Sequence, residues 1–174
     1  EPRNIKSMAL THAVANRGAD FSYSSSNIDI TGLFEIAYKY FPNEIVPQLM
    51  DIHDETYKPE LVIHGEHFAA IVDSLGVCKF STLSNHTILP EHLAEGLQAL
   101  GIKITEADLF TIGERIINIE RQFNVNHGLN RADDTLPKRI LEEPLDIYLY
   151  EPDDETGELR KTDKPIAEGL LPDL

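Results

Sequence analysis

Apolar residues recur at helical spacing through most of the chain. In ITGLFEIAYKYF, for example, Leu33, Ile36, Ala37 and Tyr40 lie three or four positions apart, so on a helix they share one face. The other predicted apolar faces are Met8, Leu10, Ala13 and Val14, then Phe68, Ile71, Val72 and Leu75, and then Leu109, Ile112, Ile116, Ile119 and Phe123. This pattern predicts a mainly α fold, an irregular helical bundle.

Glycine and proline mark where these helices begin and end. Pro90 suits the first turn of a helix, and Thr105 with Asp108 resembles a capping box. The glycines predicted to end helices are Gly18, Gly76, Gly101 and Gly128. The stretch LVIHGEHFAAIVDSLG allows a strand at its start, whereas its apolar spacing predicts a helix from Glu66 onward.

The charged, proline-containing sequence after Arg131 differs from the helical part. We assign residues 1–146 to a helical region and residues 147–174 to an acidic tail. Within this tail, IYLYEPDDETGELRK is compatible with either a short hairpin around DDETG or a solvated, extended arm.

Composition narrows the class of protein. The 174 residues carry a formal net charge of -15, which argues against nucleic acid and anionic membranes as partners. The single cysteine excludes an internal disulfide and fits a reducing compartment such as the cytoplasm. No apolar run approaches the length of a membrane span. Because the chain starts at Glu1 with a helical pattern almost at once, we expect a fragment whose upstream part is missing.

The single cysteine, Cys78, has three interpretations. Free cysteines are among the most buried residue types, which favours an inert core thiol. A nucleophile needs a base and an orienting group, and no local Cys/His signature surrounds Cys78. As a metal ligand, Cys78 would be one thiolate of a site completed elsewhere, since iron–sulfur clusters use four as a rule.

Asp73 and two histidines are the other candidates for chemistry. Asp73 lies near the C-terminus of a predicted helix, where the macrodipole disfavours a carboxylate. It is either a solvent-facing side chain or an acceptor for the N–H groups of a ligand, with Gly76 allowing close approach of the backbone. His64 and His67 are spaced as two zinc ligands could be, but HGEH is not the HExxH motif, and surface or capping histidines are the simpler interpretation.

Polar residues are dense in GERIINIERQFNVNHG and the residues that follow it. Ion pairs on a solvated helix face are predicted among Glu114, Arg115, Glu120 and Arg121. A turn held by side-chain-to-backbone hydrogen bonds is predicted at Asn124, Asn126 and Asn130.

Three separated stretches resemble the tungsten-dependent aldehyde ferredoxin oxidoreductase family, in the family's order. DSLGVCKF resembles its D-x-x-G-L/V-C-x-F segment, and IGERIINIERQFNVNHGLNRADDTLPKRILEEPL resembles its C-terminal signature. EPRNIKSMALTHAVANRGAD resembles a third family segment more loosely. The resemblance covers about residues 1–146 and implies the helical C-terminal domains 2 and 3 of such an enzyme, whereas the tail matches poorly.

The resemblance implies an oxidoreductase that converts aldehydes to carboxylic acids and passes electrons to ferredoxin. Its cofactors would be tungsten, or molybdenum, bound by two pterins, and a 4Fe–4S cluster. Cys78 corresponds to the fourth cluster ligand, whose three partners lie in the missing upstream part of the chain. Asp73 corresponds to a pterin-binding aspartate, and the backbone around Gly76 and Val77 packs on the same cofactor. A homodimer in the cytoplasm of an anaerobe is compatible with this resemblance.

The sequence departs from the family pattern at one informative place. Phe21 and Tyr23 stand where the family often has a histidine followed by a basic residue. If that histidine handles substrate, the substrate or activity that the resemblance implies is in doubt for this protein. Two alternatives therefore stay open: a cofactor-less helical interaction module derived from this fold, and a related tungsten enzyme with another substrate. The isolated fragment is expected to be inactive, and no catalytic acid or base is assigned within it.

Overall fold

The computed structural model describes residues 2–24, 27–143, 148–152, 156 and 159–165. Seven α-helices lie in these ranges: α1 Lys6–Val14, α2 Phe34–Tyr40, α3 Val46–Leu49, α4 Lys58–Leu75, α5 Pro90–Ala99, α6 Glu106–Asn126 and α7 Lys138–Glu142. Short turns connect some of them, namely the 3₁₀ turns Phe21–Tyr23 and Arg131–Asp133 and the π-helical turn Phe80–Ser84. The prediction of a mainly α fold is confirmed.

Helix α4 is the central element, because it packs against both α1 and α6. Pro59 lies in its first turn, where the missing backbone N–H removes no helical hydrogen bond. The strand allowed at the start of LVIHGEHFAAIVDSLG is therefore wrong, since Leu61 and Val62 already belong to α4 and are buried on it. The helix predicted from Glu66 onward, and its end at Gly76, are confirmed.

The two larger apolar cores described lie at opposite ends of α4. The core near its start consists of Ile28, Ala37, Val46, Leu49, Met50 and Leu61. The core near its end consists of Phe68, Ala69, Ile71, Val72, Leu83, Leu93, Ala94 and Leu109, with Val77 packed against it. α4 thus ends directly beside the second core. The residues that follow the helix therefore begin at the edge of this core.

Burial confirms some of the predicted apolar faces and corrects others. Ala37 is fully buried and Leu33, Ile36 and Tyr40 are partly covered, as predicted for α2. The face predicted for α1 is wrong: its buried side chains are Lys6, Ser7, Ala9 and Thr11. These polar groups tolerate burial because they are paired, for example Ser24 Oγ donates to Thr11 Oγ1 at 2.8 Å.

The apolar face predicted for α6 is also largely wrong. Of α6, Leu109 and Gly113 are buried, whereas Ile112, Ile119 and Phe123 are exposed. A helix buries only the part of its apolar stripe that another element covers, and α4 reaches α6 where Gly113 allows close contact with His67.

The tail contains two antiparallel strands, β1 Tyr148–Pro152 and β2 Leu159–Pro165, with Tyr150 opposite Lys161. This pairing corresponds to the hairpin alternative. The residues at 153–155, 157–158 and 166–174, and the predicted boundary between 146 and 147, lie outside the described residues. In the described ranges, no helix is long and apolar enough to cross a bilayer.

Candidate functional site

The end of α4 turns the chain sharply and leaves its backbone open. Gly76 has a φ of +67°, in the left-handed region that favours glycine. Its N–H donates to the Asp73 carbonyl at 3.2 Å, and the Val77 N–H donates to the Val72 carbonyl at 3.1 Å. Apart from Gly76 itself and its two chain neighbours, no described atom lies within 4 Å of the position that a Cβ on Gly76 would occupy. The main chain here is therefore accessible to a bulky group.

Cys78 follows this turn and is exposed. The interpretation as a buried, inert thiol is wrong, because the reversal at Gly76 directs the chain away from the core after Val77. The Cys78 carbonyl is held by the next turn, accepting from the Ser81 N–H at 3.2 Å and from Thr82 Oγ1 at 3.1 Å. The backbone of Cys78 is thus fixed while its thiol faces outward.

Asp73 has a partner that sequence reasoning missed. Lys79 Nζ lies 2.9 Å from Asp73 Oδ2 and also donates to the Ser22 carbonyl at 2.8 Å. This lysine joins the end of α4 to the 3₁₀ turn Phe21–Tyr23, which is where the sequence departs from the family pattern. The two sequence-predicted features, the Asp73–Cys78 segment and the Phe21–Tyr23 departure, are therefore neighbours. No short motif signals this contact, because Ser22 and Lys79 are 57 positions apart.

Phe21 and Tyr23 have different environments. The Phe21 side chain is 52% exposed, whereas Tyr23 is buried. The Tyr23 hydroxyl donates to Glu120 Oε2 and accepts from Asn16 Nδ2 at 2.8 Å. Burial and the neighbouring Glu120 carboxylate raise the pKa of Tyr23 well above its usual value. Tyr23 is therefore a neutral structural link between α6 and the 3₁₀ turn, and Phe21 is the exposed member of the pair.

The histidine pair predicted as a candidate zinc site has another environment. His64 is enclosed by aromatic rings, with centroid distances of 4.8 Å to Tyr40, 5.4 Å to Phe41 and 5.0 Å to Phe110. Among the described residues, no group of three or more His, Cys, Asp or Glu side chains is arranged to hold a metal ion. The simpler interpretation of His64 as a surface or capping residue is wrong, because its ring lies in the interior.

The local ion pairs predicted along α6 are wrong: among the described residues, Arg121 pairs instead with Asp134, which lies beyond the end of the helix. Arg121 Nη1 donates to Asp134 Oδ1 at 2.8 Å, and Nη2 donates to the second oxygen, giving a bidentate pair. Asn130 Oδ1 accepts from the Ala132 N–H at 3.0 Å, as predicted for a side-chain-held turn. Asn124 instead donates to the Asn16 carbonyl at 2.6 Å. The Asn124 contact holds the signature segment against the residues that follow α1, whereas the other two contacts lie within the segment.

The donor chemistry at the end of α4 fits one part of a cofactor site. A soft thiolate on a fixed, exposed turn is a suitable ligand for iron in a cluster. A half-exposed carboxylate can accept the N–H groups of a heterocycle, and the open main chain at Gly76 permits close approach. This chain contains one thiol, so a cluster with four thiolates would need three from elsewhere.

The fold and this segment together define a helical domain with an exposed cysteine just after the end of α4. Comparison with known proteins identifies the family. A model described as aldehyde ferredoxin oxidoreductase, domains 2 and 3, matches residues 1–166, and the chain therefore belongs to the aldehyde ferredoxin oxidoreductase family. Its members are oxidoreductases, so the family resemblance noted in the sequence is confirmed.

Individual relatives support the same assignment. The tungsten-containing aldehyde ferredoxin oxidoreductase of Pyrococcus furiosus is 36% identical over 148 residues, which are 83% of this chain and 22% of the relative. The proteins of the same name from Thermococcus kodakarensis and Pyrococcus abyssi are each 34% identical over 147 residues, again 83% of this chain and 22% of the relative. The chain thus spans about a fifth of the length of these relatives.

Proposed function

We propose that this chain is the C-terminal helical part of a tungsten-containing oxidoreductase that oxidises aldehydes to carboxylic acids, with ferredoxin as electron acceptor. The single observation that most supports the proposal is the exposed Cys78 on a turn fixed by its own carbonyl hydrogen bonds. A core thiol would be buried, whereas a ligand to a group bound outside this chain must face outward. The relatives named above carry tungsten in their names.

In this proposal each residue at the end of α4 has a separate task. Cys78 supplies one thiolate to a 4Fe–4S cluster, and Asp73 accepts hydrogen bonds from the N–H edge of a pterin. The backbone at Gly76 and Val77 packs on the same pterin, and Gly76 has no side chain to block this approach. When bound, a bis-pterin tungsten centre with a neighbouring cluster supplies the oxidation of an aldehyde and one-electron transfer to ferredoxin.

Lys79 is a positioning residue in this proposal. Its ammonium orients the Asp73 carboxylate and holds the 3₁₀ turn at Ser22 beside it. The positive charge of Lys79 also offsets the negative charge of Asp73, which in this proposal lies close to an anionic cofactor. The chain's contribution is therefore to hold, orient and electrostatically balance groups that a longer protein completes.

A cysteine substitution in the longer protein that contains this chain tests the proposal. The protein is produced without air, and its iron and tungsten are measured together with the electron paramagnetic resonance of the reduced form. We expect Cys78→Ser to lower the iron content or alter the cluster signal. The matched control is Ser74→Ala, an exposed change on the same helix end that should alter neither. A Cys78→Ser protein with unchanged iron content and spectrum contradicts the assignment.

The 174-residue chain alone gives a second test. Because it supplies one thiolate, we expect the purified chain to be colourless and without aldehyde oxidation activity. A brown preparation with a stable cluster spectrum contradicts this expectation. If the longer protein also lacks iron and tungsten, the alternative of a cofactor-less interaction module is favoured instead.

A second candidate is a related tungsten enzyme with another substrate. The observation that favours it is the exposed Phe21, in the 3₁₀ turn that Lys79 joins to Asp73. An apolar side chain there replaces the histidine that the family often has. Steady-state kinetics of the loaded protein, with a panel of aldehydes and of aromatic-ring substrates, separates the two candidates. Turnover of aldehydes supports the first, and turnover confined to aromatic rings supports the second.

A further inference from the structure

A cavity lies on the first half of α4, before the Asp73–Cys78 segment. Its volume is about 680 Å³, which is within the usual range for small-molecule sites of about 300–1,000 Å³. Apolar side chains from α1 and α4 form much of its wall: Leu10, Val14, Pro59, Val62 and Ile63. Its charged lining residues are Glu55, Glu66, Arg131 and Asp134.

Glu66 is the exceptional residue of this cavity. It is 9% exposed and lines both this cavity and an adjoining one of about 210 Å³. Within the described part of the chain, its carboxyl group has no hydrogen-bond or ion-pair partner. The charged and titratable groups that act on it are Arg121 and Glu120 from α6, Asp134 from the following segment, and Tyr23 from the 3₁₀ turn.

The other carboxylates of the lining already have cations. Glu55 pairs with Lys6 at 3.3 Å, and Asp134 is held by the bidentate contact with Arg121. Asp134 also lies 3.8 Å from Arg131, the one guanidinium among the described lining residues. Among the residues described, the Glu66 carboxyl group has no such cation, and its oxygens are accessible from the cavity, where they can accept hydrogen bonds from a bound group.

We propose that the Glu66 cavity binds a small primary amine with an apolar body, whose ammonium group is accepted by the Glu66 carboxylate. The apolar walls accommodate the body, and the unpaired carboxylate selects a cation over an anion or a neutral group. The site is separate from the proposed cofactor residues, because Glu66 precedes Asp73 by about two helical turns on α4. The proposal does not depend on the proposed oxidoreductase function.

The proposal can be tested by isothermal titration calorimetry of the full 174-residue chain. Three probes of similar shape and different charge are compared. The probes are 2-phenylethylammonium, 3-phenylpropionate and 2-phenylethanol. We expect the ammonium to bind at least tenfold more tightly than the other two. Because burial raises the pKa of Glu66 to about 7, the affinity for the ammonium should fall about tenfold from pH 8 to pH 6, as the carboxyl group becomes protonated.

Two variants assign the effect to Glu66. Glu66→Gln should remove both the preference for the ammonium and its pH dependence, whereas Glu60→Gln, which removes the same charge from an exposed position of α4, should retain both. If Glu66→Gln does not fold, Ile63→Trp, at a half-exposed lining position, should weaken all three probes. Tighter binding of the phenylpropionate, equal binding of all probes, equal effects of the two glutamate variants, or no binding at millimolar concentration would overturn the proposal.

Discussion

The ammonium group of Lys79 lies 2.9 Å from the carboxylate of Asp73 and donates at the same time to the carbonyl oxygen of Ser22. One side chain thus connects the end of α4 to the 3₁₀ turn that precedes α2. The Asp73 side chain is 48% exposed in this pair. Asp73 is thus exposed and lies next to an open turn. A carboxylate in such a position is more typical of a residue that binds another group than of one that stabilises a core.

This relationship predicts a small structural role for Asp73. Asp73→Asn should change the free energy of unfolding by less than about 1 kcal/mol, because exposed ion pairs contribute about 0–1 kcal/mol. Lys79→Met should cost about 0.5–1.5 kcal/mol more, since it also removes the donor to the Ser22 carbonyl. Urea unfolding at low and high salt measures both variants. A loss above about 2 kcal/mol for Asp73→Asn would make this carboxylate structural and weaken its assignment to a cofactor.

The contact between α4 and α6 predicts opposite effects for two glycine substitutions. A Cβ on Gly113 would overlap the backbone of His67, at 2.9 Å from its carbonyl carbon, so the two helices would have to separate. We expect Gly113→Ala to destabilise the protein by about 1–3 kcal/mol. Gly96→Ala, in α5, meets no atom within 4 Å outside the local helix backbone and should stabilise the protein by about 0.5–1 kcal/mol.

Thermal and urea unfolding of these two variants measure the difference directly. Both variants add one methyl group to a helical glycine, so helix propensity favours both equally. Only the contact with His67 separates them. Equal stabilisation by the two alanines would show that α6 does not approach α4 closely at Gly113.

A buried ion pair predicts a larger loss of stability. Lys58 and Asp29 are essentially inaccessible, with Nζ 3.2 Å from Oδ2, and Lys58 also donates to the Leu49 carbonyl. Lys58→Met should destabilise the protein by about 3–5 kcal/mol, because it leaves the Asp29 carboxylate buried without its cation. Lys39→Met is the matched control, since it breaks an exposed pair with Glu91 and should cost about 1 kcal/mol or less.

Chemical denaturation at neutral pH compares these two lysine variants. The double variant Lys58→Met, Asp29→Asn should recover part of the loss, because the remaining buried charge is removed. Similar losses for the Lys58 and Lys39 variants would contradict the burial of the Lys58–Asp29 pair.

His64 predicts a loss of stability in mild acid. Burial among the aromatic rings, with further effects from His86 and His67, lowers the pKa of His64 to about 4. Between about pH 6.5 and pH 4 the unfolded chain therefore binds a proton that the folded chain does not. The contribution of His64 to the free energy of unfolding is therefore complete above about pH 6.5. It falls by up to about 3 kcal/mol as the pH drops through this window.

A difference measurement isolates the contribution of His64. The unfolding free energies of the natural chain and His64→Leu are measured from pH 7 to pH 4, and the gap between them should change in favour of the leucine variant toward pH 4. Ser74→Ala, an exposed substitution that removes no titratable group, serves as the control and should run parallel to the natural chain. A His64→Leu curve parallel to the natural one would mean that the imidazole is protonated within the fold.

Features made by neighbouring residues were predictable from the linear order of the chain. Thr105 and Asp108 form the expected capping box, with the Asp108 carboxylate 2.9 Å from the Thr105 N–H. Pro90 begins α5 and Gly76 ends α4, because each signal acts on backbone groups within about four residues. The motif DSLGVCKF and the C-terminal signature indicated the family for the same reason: they are short strings that can be read without a fold.

Features that depend on contact between distant segments were decided by the packing. Periodicity shows that α6 has an apolar stripe. Which part of the stripe is buried depends on where α4 contacts it, so Leu109 is buried and Phe123 is exposed. The exposure of Cys78 and the pairing of Lys79 with Asp73 follow from the chain reversal at Gly76 and the arrival of the Ser22 turn. Burial and ion pairing depend on which distant segments come into contact. Local sequence patterns specify only the side chains that each segment has available for such contacts.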